Sequence, residues 1–175
     1  MAFTLTSCKS ADDKHAAEEA AKDLRDRAVG IEGIEIYYGE KTAEVLARLG
    51  EADSETDMGY GSGETVYGYE NVTAYGVEGA SLSVTVKTAP RYDDIVYSVM
   101  VRIPTDDPEA LFDHIHEYVE RLYSDREGFR SSEIWEFEGT YYCSINGNSK
   151  DGTESFEISR YPTYVDVTAF YSPFN

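Results

Sequence analysis

Basic residues are scarce in this chain: 15 Lys and Arg stand against 34 Asp and Glu, for a formal net charge of −19. Such a surface repels nucleic-acid phosphates and anionic lipid headgroups, so direct nucleic-acid binding is not expected. It leaves open a basic partner protein. Cysteine is limited to Cys8 and Cys143, too few for a disulfide framework. No run reaches the eighteen or so apolar residues of a membrane-spanning helix, so any membrane attachment would come through a lipid. Histidine is nearly absent too. His114 and His116 lie two apart on an expected helix and point to different sides, whereas zinc helices use a spacing of four. His15 sits in a polar N-terminal stretch.

The motifs of catalysis are missing as well. There is no G-x-S-x-G elbow and no S-x-x-K sequence. Gly59, Gly61 and Gly63 alternate, yet they follow an acidic loop and open a strand, the wrong context for a phosphate cradle. Residues 148–154 have an acidic look, but Lys150 occupies a would-be ligand position and the spacing of a calcium loop is not met. Asp53, Glu55 and Asp57 read as a solvated loop at the rim of the fold. No cofactor, metal or enzymatic activity is expected.

What is present is apolar and aromatic material in regular patterns. Hydrophobic residues make up 41% of the chain and aromatics 13%, with fifteen tyrosines, which excludes disorder of the whole. Residues 42–49 place Val45, Leu46 and Leu49 on one face of a short helix, with Thr42 as its expected N-cap and Gly50 as its stop. Thr65, Tyr67 and Tyr69 then alternate as a strand, a second short strand is expected over residues 72–75, and Leu82, Val84 and Val86 mark another. Residues 95–103 bury Ile95, Tyr97, Val99, Val101 and Ile103. Asp107-Pro108 opens a second helix whose stripe is Leu111, Ile115, Val119 and Leu122. Strands are expected again over residues 133–137, 140–146, 154–160 and 163–171.

The expected fold class is therefore α+β: a helix followed by an antiparallel meander, then a helix and meander once more, with a single wrapped sheet as the alternative to a true repeat. Residues 1–29 would be a leader remnant and a helical or disordered tether, 30–104 the first helix-and-meander half and 105–175 the second.

Two short motifs carry resemblances. Leu5-Thr6-Ser7-Cys8 resembles the lipobox of bacterial lipoproteins, which implies lipidation at Cys8 and an extracytoplasmic, cell-envelope location. The segment before Cys8 carries neither a basic residue nor an apolar core, so it reads as the tail of a longer leader. Leu49-Gly50-Glu51-Ala52-Asp53, behind the Glu-Val-Leu helix and ahead of an aromatic strand, resembles the module of the small outer-membrane-assembly lipoproteins and of β-lactamase inhibitory protein. Ala52 stands where that group usually has proline. The resemblance implies protein binding or envelope assembly and supplies no catalytic residue.

Tyrosine supplies the candidate site. Rings with a wet hydroxyl suit interfaces, and Tyr67, Tyr69, Tyr142 and Tyr164 are expected to share a concave, acidic sheet face that docks a protein partner, with Asp53 and Asp57 at its rim. Partly buried strand tyrosines would give the same pattern. The function expected on these grounds is a non-enzymatic envelope adaptor; the alternative is an acidic cytoplasmic inhibitor or nucleic-acid mimic that occupies a basic protein.

Overall fold

Period-two alternation dominates the chain, and the computed structural model, which describes His15 and residues 28–59, 61–88, 92–148 and 152–174, turns it into one sheet. Its strands are β1 (Ser54–Asp57), β2 (Glu64–Ala74), β3 (Val77–Lys87), β4 (Ile95–Pro104), β5 (Glu127–Ser131), β6 (Trp135–Phe137), β7 (Thr140–Asn148), β8 (Gly152–Arg160) and β9 (Tyr164–Pro173). Their order is β1-β2-β3-β4-β9-β8-β7-β5, with β6 also on β7, and every pairing is antiparallel. The sheet is therefore continuous across the middle of the chain, where β4 meets β9. Two-residue turns close two of the hairpins: Tyr75-Gly76 and Glu138-Gly139 all have positive φ, the geometry whose twist matches antiparallel strands and which glycine adopts without strain.

Both helices sit on one face. Helix α1 is Thr42–Leu49 and α2 is Pro108–Tyr123. The start of α2 follows from its sequence: the Asp107 carboxylate accepts from the Ala110 N–H at 3.1 Å, and proline follows it. Leu111, Phe112, Ile115, Val119 and Tyr123 are buried, and α2 packs on β7, β8 and β9, over Ile145, Phe156, Ile158 and Val167. Helix α1 buries only Thr42 and Val45. Lys41 precedes it as the cap residue without a side-chain capping bond, and Thr42, the expected N-cap, is its first helical residue, whose hydroxyl bonds instead to the Asp94 carbonyl and carboxylate at 3.1 Å.

Between the two helices lies an arm, residues 28–40, which inserts Val29, Ile31, Ile36 and Tyr38 into the core. It is pinned by hydrogen bonds from the Tyr75 hydroxyl to the Gly30 carbonyl (2.6 Å) and between the Tyr38 and Tyr123 hydroxyls (2.8 Å). Below it the Arg126 guanidinium, lying over the Tyr123 ring, pairs with the Glu154 carboxylate; both side chains are buried.

Three expectations are corrected. The acidic loop after Gly50 contains a strand, β1, and just ahead of it the Asp53 N–H bonds the Gly68 carbonyl at 2.9 Å. The two short strands expected before Gly76 are one, β2, interrupted by bulges, because Asn71 takes a left-handed φ of 57° and absorbs the irregularity without ending the ladder. The strand expected over residues 133–137 is shorter, β6, and is preceded by an unexpected β5, which pairs β7 further along.

Candidate functional site: an aromatic row on the uncovered face

A strand pair in register brings side chains of one parity together on one face. Trp135 of β6 lies opposite Tyr142 of β7, and their rings stack at 4.4 Å between centroids and 18° between planes. Tyr142 lies opposite the small Ser159 of β8, which leaves room above the sheet. The β8–β9 turn fills it with Tyr161, whose N–H bonds the Tyr164 carbonyl at 2.9 Å and whose ring stacks on Tyr164 at 4.4 Å and 19°. The Tyr161 hydroxyl is held above its ordinary pKa, first by burial and then by the neighbouring Tyr142.

The row continues onto β4. The Arg102 guanidinium lies 4.4 Å from the Tyr164 ring centroid and grips Asp166 of β9 with two hydrogen bonds of 2.9 and 2.8 Å. That carboxylate raises the Arg102 pKa above its usual value, so the cation is permanent. A fork-to-fork pair of this kind fixes orientation as well as charge, and here it holds Arg102 flat against the ring. Trp135, Tyr142, Tyr161, Tyr164 and Arg102 thus form one row across β6, β7, β9 and β4. Among the described residues no helix covers it: both helices and the arm pack on the opposite face. Trp135 is 53% exposed and Phe137, on the same side of β6, is 59% exposed.

The row consists of stacked rings, a guanidinium and a carboxylate. Cys143 alternates with Tyr142 onto the covered face, where burial pushes its thiol up to about 12, far from a reactive thiolate. His116 stacks on Phe112 and lies 3.6 Å from Glu120; His114 lies 3.4 Å from Glu32. Among the described residues no three His, Cys, Asp or Glu side chains gather as a metal site requires. Arg160, over the Tyr141 ring at 3.9 Å, lines a cleft of about 300 Å³ with Asp107 and Tyr161, where the row meets the start of α2.

The sequence-predicted residues divide between faces. Tyr142 and Tyr164 belong to the row. Tyr67 and Tyr69 do not: they lie opposite Val84 and Leu82, core residues beneath the helices, so the strand parity turns them to the covered face, and Tyr69 is buried with its hydroxyl 3.4 Å from the Gly50 carbonyl. The four tyrosines therefore do not share one surface. Asp53 and Asp57 sit at the β1 edge, at the opposite end of the strand order. There they accept from the Glu70 N–H (2.7 Å) and the Gly59 N–H (2.8 Å), local bonds that shape the edge. Cys8 lies outside the described residues. Sequence reasoning missed Trp135, Tyr161, Arg102 and Asp166. The available signal was parity: Arg102 alternates with the core residues Val101 and Ile103, and Trp135 shares its parity with Phe137.

Compared with family models, with curated proteins and with solved structures, the chain matches none, so its functional reading rests on this geometry.

Proposed function

We propose that this chain is a non-enzymatic bacterial cell-envelope lipoprotein that binds a partner protein through the uncovered aromatic end of its sheet. The observation that carries the reading is the pair of stacked rings, Trp135 on Tyr142 and Tyr161 on Tyr164, standing with Arg102 on a face no described element covers. Tyr, Trp and Arg are the side chains that dominate binding energy at protein interfaces, and their mutual stacking pre-pays much of the ordering cost of docking. The envelope assignment draws on Leu5-Thr6-Ser7-Cys8 and on the polar stretch that follows it. The finer fold reading, two helix-and-meander units joined at the β4–β9 seam in the manner of the envelope-assembly and inhibitory modules, draws on the element order helix, strands, helix, strands.

A photo-reactive phenylalanine analogue placed at Phe137 or at Tyr164, in the chain expressed in its source organism, tests the docking surface. The expected result is a small set of discrete adducts at both positions, competed away by unlabelled chain and lost in Tyr142→Ala. Adducts no different from those at the exposed α2 residue Glu117 would sink the reading. Lipidation is tested by incorporation of labelled fatty acid, lost in Cys8→Ala. The acidic-inhibitor alternative is favoured by the formal charge of −19 and is separated by salt, since a charge-driven complex weakens steeply with ionic strength.

A further inference from the structure

The two edges of the sheet are built differently. At one end β1 is Ser-Glu-Thr-Asp, fully exposed and without a large apolar side chain, a short charged edge of the kind that discourages further pairing. At the other end β6 carries Trp135 and Phe137, with Ile134 beside them, all about half exposed or more. Among the described residues its one ladder partner is β7. The Glu138-Gly139 turn, with φ of 50° and 79°, closes a two-residue hairpin, in which the flanking pair Phe137–Thr140 is hydrogen-bonded. Alternation of the antiparallel ladder then makes Trp135–Tyr142 a hydrogen-bonded pair as well and turns the Glu136 N–H and C=O outward, away from β7.

That outward edge is acidic on one side and aromatic on the other. Glu133, Glu136 and Glu138 are exposed, and none of the ion pairs among the described residues uses them. Trp135 and Phe137 face the uncovered side. A second copy of the chain is a poor occupant, because an antiparallel β6–β6 pair would set Glu136 against Glu136, and like charges across a strand pair repel.

Resting on the reading of the aromatic end as a protein-binding surface, we infer that β6 accepts an extended segment of the partner as an added antiparallel strand, one that alternates basic residues opposite Glu136 with apolar residues beside Trp135 and Phe137. Main-chain bonds to Glu136 give affinity, and the alternation gives specificity.

Trp135 is the chain's one tryptophan, so its emission reports this edge directly. The probe is the synthetic heptapeptide acetyl-KVKIKVK-amide, titrated into the full chain. A saturable change in Trp135 emission is expected, absent with acetyl-EVEIEVE-amide. An antiparallel strand whose lysine lies opposite Glu136 turns that lysine's N–H toward β6. N-methylation of the lysine set should therefore weaken binding at least tenfold, while N-methylation of the apolar set, whose N–H groups point away, should leave it near the parent's. Glu136→Lys should reverse the preference between the two heptapeptides, with far-UV circular dichroism unchanged. Equal binding of both N-methylated isomers would reduce the effect to charge attraction and overturn strand addition, as would no saturable change, or a concentration-dependent dimer that the peptide cannot dissociate. If the heptapeptide fails while cross-links at Phe137 and Tyr164 persist, strand addition falls and the open-face reading stands; if the cross-links fail too, both fall.

Discussion

The two faces of this sheet hold the same kinds of residue in opposite ways. On the covered face Tyr38, Tyr75 and Tyr123 are buried, with the hydroxyls of Tyr38 and Tyr123 bonded to each other and that of Tyr75 to a backbone carbonyl. Arg126 lies over the Tyr123 ring and is paired with Glu154 out of reach of water. On the uncovered face the partly buried rings of Tyr161 and Tyr164 stack on each other, and Arg102 lies over Tyr164 while paired with Asp166. Each face thus has tyrosine, arginine and a carboxylate in contact. The difference is solvent: the Arg126–Glu154 pair is shut away from it, whereas Arg102 is half exposed.

The largest effect should come from breaking the covered cluster. Arg126→Met leaves the Glu154 carboxylate buried without its cation, and removing one member of a buried pair costs about 3–5 kcal/mol. Urea unfolding should register that loss. Replacing both, Arg126→Met with Glu154→Leu, should recover most of it, because the penalty belongs to the uncompensated charge and not to the absence of the pair. A double variant as unstable as the single would mean that Arg126 acts chiefly through its other contacts, the Tyr123 ring and the Ala28 carbonyl at 3.2 Å.

Next in size is the response to alkali. Burial raises the Tyr38, Tyr75 and Tyr123 hydroxyls above their ordinary value of 10.0. The native state therefore keeps these protons when the unfolded chain has released them. Their contribution is fully present below the unfolded pKa and is lost as pH rises above about 10, at up to about 1.4 kcal/mol per pH unit for each group. Tyr38→Phe should flatten that decline by one group's share. It should also lower stability at neutral pH by about 1 kcal/mol through the lost hydrogen bond to Tyr123. Unfolding free energies measured from pH 8 to 11.5 check both; an unchanged slope in the variant would show that Tyr38 ionises freely in the fold.

The sequence carried the architecture further than the site, and particular residues show why. Alternation at Leu82, Val84 and Val86 and the Asp107-Pro108 start of α2 are local signals, and both elements stand where that pattern puts them. Strand β1 was hidden because Ser54–Asp57 is exposed throughout, so no burial pattern marks it; its pairing with β2 comes from tertiary context. The shared face assigned to Tyr67, Tyr69, Tyr142 and Tyr164 failed for a similar reason. Parity along one strand says which residues go together, but which of the two sets faces the helices depends on where the helices dock. Tyr69 follows the core, whereas Tyr142 alternates with the buried Cys143. Glu154, at the same parity as Phe156 and Ile158, was a charge on the core face; its partner Arg126 lies beyond α2, a contact no local pattern reports.

The smallest effect on folding should come from Arg102→Ala, and it is the sharpest test of the comparison. Arg102 resembles Arg126 in every local respect: a guanidinium over a tyrosine ring, 4.4 Å against 3.8 Å, and paired to a carboxylate one strand away or more. It differs in being half exposed, with side-chain exposure of 51% against 4%. Asp166 is itself only 13% exposed, but removing the half-exposed Arg102 side chain opens it to water, so the loss should be about 1 kcal/mol, the upper end for exposed ion pairs. The effect should appear instead on the surface: without the cation that holds its ring flat, Tyr164 should lose the cross-links that the photo-reactive analogue at Phe137 keeps. If Arg102→Ala destabilises as much as Arg126→Met, the row is part of the fold's own scaffold, and the contrast between a structural face and a binding face does not hold.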